Sequence, residues 1–151
     1  MHRDAQVSPV NRNSSLLFAD DIRHFIWDRS SDDNNVELDL AFSDEEIHNA
    51  KRYCAMSYNQ MPPQVNFIDP SCMPNTMTMI HGTIYHLLLS KYHQTSRNDI
   101  TYTAGGVTTE VTKTLISHLK EQIKFHKEEF MNLAKQEKIL VNLHSAFGKF
   151  G

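Results

Sequence analysis

"TMTMIHGTIYHLLLSKYHQTS", from Thr76 to Ser96, decides the fold of this 151-residue chain. Its spacing predicts a helix over Thr76–His93. Met77, Met79, Ile80, Ile84, Tyr85, Leu87, Leu88, Leu89 and Tyr92 fall on every side of that helix instead of one stripe. A helix apolar all round has to be covered all round. One domain of this length has little material for the task, so self-association or a partner surface is expected.

Working outward, the strongest helix start precedes it. "SDEE" from Ser43 places a capping hydroxyl three residues before Glu46, with acids at the positive end of the helix dipole. That predicts a helix from Asp44 to about Asn59, stopped by Pro62 and Pro63. Residues 64–75, with two more prolines, read as an irregular crossing. Upstream, "ADDIRHFIWDR" predicts a short helix from Ile22 to Arg29 with Trp27 at the core edge, and Val36, Leu38 and Leu40 alternate with acids as a short extended segment. Residues 1–15 are polar and aperiodic and read as a flexible arm.

On the other side, "RNDITYTAGGVTT" runs from Arg97 to Thr109. It suggests a turn, an extended "ITY" and a glycine joint, and so a β-hairpin or extended arm over Arg97–Gly106. "AGGVTT" has neither the lysine of a phosphate-binding loop nor the third glycine of a dinucleotide fingerprint, and a joint explains it better than an anion cradle. The last helix is predicted from Thr109 to Leu140. Positions 112, 116, 119, 123, 126, 130, 133, 137 and 140 alternate steps of four and three, and six of the nine are apolar. Such a helix is roughly 48 Å long, against a diameter of roughly 40 Å for a domain of this size, so it overhangs its own body. "LHSAFGKFG" then carries Phe147 and Phe150 as aromatic anchors on a flexible tail.

Composition bounds the function. Hydrophobic residues make up 40% and charged residues 22%, with glycine and proline at five each, which is one ordinary globular domain. No apolar run is long enough for a membrane span, and the first residues have no apolar leader core, so synthesis in a cytosol is expected. Asn13 fits a glycosylation sequon that such a chain would not use. Cys54 and Cys72 are too few for a disulfide framework. Net charge is −3, distributed as −5 over residues 1–63, 0 over 64–108 and +2 over 109–151. No basic block suited to gripping phosphates is present, which argues against tight DNA binding. Among nine histidines, His81, His86 and His93 share one helix without completing a metal-ligand motif. The paired carboxylates sit at turns and helix starts, where capping accounts for them. No nucleophile has a companion motif. Neither an enzyme nor a cofactor is expected.

Taken together, "LAFSDEEIHNAKRYCAMSYNQMPP", the apolar middle helix, "RNDITYTAGG" and the long last helix followed by "LVNLHSAFG" resemble the head-to-tail connector proteins of tailed bacteriophages, also called neck, adaptor or head-completion proteins. The likeness covers about Ile22 to Gly148 and is one of order and spacing. It implies a mainly α fold: a helical bundle with a long C-terminal helix, a short β-hairpin or extended arm before it, and a flexible tail. The division would be an arm at 1–15, a connector domain at 16–143 and a docking tail at 144–151. By the same resemblance the protomers form a ring, commonly of twelve copies, between the portal protein and a tail or tail-completion protein. The ring lines a channel through which double-stranded DNA passes without sequence-specific binding. The protein would reside in the virion neck, after assembly in the host cytoplasm. Leu143, Phe147 and Phe150 would meet the portal, and Arg97, Tyr102, Gly105 and Gly106 a neighbouring copy or the tail side. A small helical regulatory or protein-binding module is the competing class.

Overall fold

The computed structural model describes residues 19–26, 41–64, 67–102 and 109–147. Four helices account for most of them: α1 (Ala19–Ile26), α2 (Asp44–Gln60), α3 (Thr76–Tyr102) and α4 (Thr109–Phe147), with one 3-10 turn at Pro70–Cys72. No strand occurs among the described residues.

The start of α2 follows from its sequence. Ser43 Oγ accepts from the Glu46 amide at 3.2 Å, and Glu46 Oε2 accepts from the Ser43 amide at 2.8 Å, closing the capping box. Phe42 before the cap and Ile47 after it are both buried in the core, the arrangement of a hydrophobic staple. Ser43→Ala is expected to cost about 1 kcal/mol, read as a lowered urea midpoint with an unchanged slope. Arg23 fastens α1 to this corner. Its guanidinium donates to the Phe42 carbonyl at 3.0 Å and pairs with Asp44 at 2.6 Å, while Ile22 beside it is fully buried.

After Pro63 the crossing is held by Asn59, whose side chain donates to the Ile68 carbonyl and accepts from the Ile68 amide. α3 then enters the centre. Thr78 to Ile84 are seven consecutive buried residues, surrounded by α1, α2 and α4. The expectation that one chain has too little material to wrap this helix is therefore corrected for its first half. What makes the wrapping possible is close approach at Gly82, where the absence of a side chain lets Cys54 of α2 and Phe130 of α4 come together.

α3 and α4 form an antiparallel pair, since Thr78 bonds Glu137 while Lys120 lies over the Tyr92 ring. α2 is antiparallel to α3 as well. Cys54 lies against Thr78 and Met79, and Glu46 shares a groove with Ser90.

Several boundaries differ from those the sequence predicts. α1 begins at Ala19 and its described span ends at Ile26; Trp27, the segment Val36–Leu40 and residues 1–15 lie outside the described residues. The β-hairpin or extended arm is not found. Arg97–Tyr102 continue α3 as helix, since extending an established helix costs far less than starting one and the local turn residues do not stop it; residues 103–108 lie outside the described residues. α4 runs on through Phe147, there being no glycine or proline before Gly148 to stop it. Its buried positions, Leu119, His126, Phe130, Ala134 and Lys138, follow the predicted seam at first and then leave it. Steps of four carry the buried edge around the helix towards the end of α2, and Glu137 and Leu140 of the predicted seam are half-buried and exposed.

Candidate interaction surface

α4 is roughly 58 Å long for its 39 residues, and its two ends differ. Beyond Ser90, opposite the start of α2, α3 continues for three further turns with α4 as the element packed beside it. Tyr92 on that extension is only half-buried, as are Tyr85, Leu88 and Leu89 on the turns of α3 leading up to it. At the far end α4 passes Lys138, which meets the end of α2, and every residue from Ile139 to Phe147 is exposed.

That overhang is two-sided. Ile139, Leu140, Leu143 and Phe147 fall within about 100° of one another around the helix, giving an apolar strip on its outer side. Phe147 is 72% exposed. On its inner side Val141, Asn142 and Ser145 line an open groove shared with Gln64, Ile68, Cys72 and Pro74 of the crossing. Phe67, 82% exposed, stands on the same crossing. Burying a large apolar side chain is worth about 2 kcal/mol, so an overhang carrying four of them is a surface that a partner would stabilise.

The predicted site residues fall into two groups. Leu143 and Phe147 lie one turn apart on the outer strip of the overhang. Arg97 is exposed and Tyr102 is the last residue of α3, both at the opposite end. Lys120, level with Tyr92, and Leu143 are 23 residues apart on α4, so the two groups are separated by roughly 35 Å. Gly105, Gly106 and Phe150 lie outside the described residues. Ile139 was not singled out from sequence and Leu140 was placed in the seam, although their i, i+4 and i, i+3 relation to Leu143 was available as a signal.

The interior polar groups serve the packing. Ser57 Oγ and His86 Nε2 are 3.0 Å apart across α2 and α3, and burial lowers the His86 pKa, which keeps the ring neutral. This is a serine–base pair by distance, with Ser57 set within α2, whose amides are committed to the helix. Burial pushes the Cys54 thiol up to about 12, so it stays protonated and unreactive. Glu137 accepts from Thr78 and is raised in pKa by burial. Among the described residues, no group of three or more His, Cys, Asp or Glu side chains could hold a metal ion, and no helix is long and apolar enough to cross a membrane. Comparison of the chain with known protein families, curated proteins and solved structures finds no match.

Proposed function

We propose that this chain is a structural protein of a tailed-phage virion, one subunit of a ring that joins the portal vertex to the tail and lines the DNA channel. The observation that carries the proposal, beside the resemblance in order and spacing, is the two-ended shape of the α3–α4 pair. One end presents an apolar helical overhang, and α3 runs on past Ser90 towards the other, with Tyr85, Leu88, Leu89 and Tyr92 half-buried along its flank. A protomer that bridges two partners stacked along an axis needs contacts at both ends, and copies side by side in a ring would cover the half-buried flanks between them. A weakly negative chain also suits a channel that DNA must traverse, because a lumen rich in lysine and arginine would hold phosphates.

In this assignment the overhang with Leu143 and Phe147 docks on the portal together with Phe150, and the end with Arg97 and Tyr102, together with Gly105 and Gly106, meets a neighbouring copy or the tail protein; Phe150, Gly105 and Gly106 lie outside the described residues. The chain acts without catalysis or cofactor.

The test is attachment to portal-bearing heads lacking this protein. The full chain is expected to bind them and to appear as a ring below the portal in electron micrographs. A chain ending at Leu143 should lose binding at least tenfold while keeping most of its helical content, because residues 144–147 are all exposed. Unchanged binding of the shortened chain removes the docking role of the tail. Failure of the full chain to bind heads, with salt-sensitive affinity for DNA instead, would favour the regulatory class and overturn the proposal.

A further inference from the structure

His81 of α3 and His126 of α4 are separated by 45 positions in sequence, yet both are buried and their Nδ1 atoms are 3.0 Å apart. Their surroundings are aromatic. Phe25 of α1 and Phe125 of α4 stand edge-on to the His81 ring, at centroid distances of 5.8 and 6.0 Å. Two Nδ1 atoms this close form a hydrogen bond only if one carries a proton and the other offers its lone pair. The two neutral imidazoles must therefore be opposite tautomers, one Nδ1–H and one Nε2–H.

Such a bridge responds differently to a first and a second proton. The first can enter at Nε2 of the donor ring, leaving Nδ1–H in place. The bridge then runs from an imidazolium to a neutral imidazole and is strengthened by the charge. The second must take the lone pair on the accepting Nδ1. Two N–H groups would then face each other at 3.0 Å, and two cations would share a buried site.

The groups around the pair set the order. Glu129, one turn beyond His126 on α4, draws the His81 pKa upward against the larger lowering by burial, so the first proton belongs on His81. Burial, and then the charge on His81, push His126 down to about 4. From α1 the pair meets the uncharged Phe25, while Asp21 of that helix acts on Lys51 of α2. From α2, Cys54 lies against this stretch of α3 and stays a neutral thiol.

We propose that the His81–His126 bridge is an acid-operated latch between α3 and α4, closed by zero or one proton and opened by the second. The sign follows from linkage. The folded pKa of His126 is depressed below its unfolded value, so the stability it contributes is complete above about pH 6.5 and is lost as pH falls towards about 4. Opening separates the helix pair at its middle and releases the Phe25–His81–Phe125 stack that holds α1.

Two measurements test this on the full chain. Proton NMR of the histidine ring protons should show His81 titrating before His126, with His126 delayed to near pH 4. Urea unfolding between pH 6.5 and 4 should show the folded-to-unfolded ratio of the wild type falling by up to about tenfold more per pH unit than that of His126→Asn, whose amide occupies the Nδ1 position and does not titrate. Both rings titrating together near 6.5 would overturn the latch, as would parallel pH profiles for the two proteins. Should His126→Asn fail to fold, the NMR titration of the wild type decides alone.

Discussion

Gly82→Val is expected to abolish cooperative folding, and Gly82→Ala to lower stability by about 1–3 kcal/mol even though alanine is the better helix former by about 1 kcal/mol. A Cβ at this position would lie 2.3 Å from Cys54 Sγ and 2.8 and 2.9 Å from two ring carbons of Phe130. The two obstacles belong to different helices, α2 on one side and α4 on the other, and both side chains are buried. Moving α3 away from one drives it into the other. Shortening one obstacle should therefore help. In a Cys54→Ala background the alanine at 82 should cost about 1–2 kcal/mol less than in the wild type, a coupling within the range found for contacting residues. Urea unfolding of the two single variants and the double variant measures it. Strict additivity would mean that Cys54 is not what resists the new methyl group.

The same position shows which parts of the fold could be read from the sequence. Ser43 and Glu46 announce α2 because capping is a contact between residues three apart, and local patterns record local contacts. The all-round apolar character of residues 76–92 correctly marks a helix at the centre of the molecule. It does not say what covers it, because coverage depends on how closely neighbours approach. Gly82 reads as a weak point in a helix until Cys54 and Phe130 are seen against it. Arg97, Asn98 and Asp99 resemble a turn, and their own propensities favour one; the helix already formed by α3 propagates through them. Leu143 and Phe147 were expected past the helix end at Leu140, Phe147 on a flexible tail; both instead lie on α4, which continues as helix to Phe147 and leaves them exposed. The histidine bridge was not legible. His126 stood in the seam and His81 shared the middle helix with His86 and His93, but nothing in a pattern joins positions 45 apart.

Lys138 was equally hidden, and its replacement is the other large effect expected. Lys138→Met should cost about 2–3 kcal/mol, and Lys138→Glu more than that. Lys138 is fully buried, an unusual place for an ammonium group. Its Nζ donates to the Met61 carbonyl just past the end of α2 and lies 4.7 Å from the centre of the Tyr58 ring. The negative end of the α2 dipole, a carbonyl left without a helical partner and an aromatic face all favour a cation at this point. Burial lowers the lysine pKa, which is the opposing cost. Methionine keeps the length of the chain but leaves the half-buried Met61 carbonyl without that donor. Glutamate sets a carboxylate against it. Beyond stability, Lys138 is the last buried residue of α4 before the overhang begins. Loosening it should raise amide hydrogen exchange over residues 138–147 and around 58–61, while Ser43–Cys54 stay protected. A loss under about 0.5 kcal/mol in Lys138→Met, with exchange unchanged in both segments, would show that the ammonium does not hold the overhang to the body.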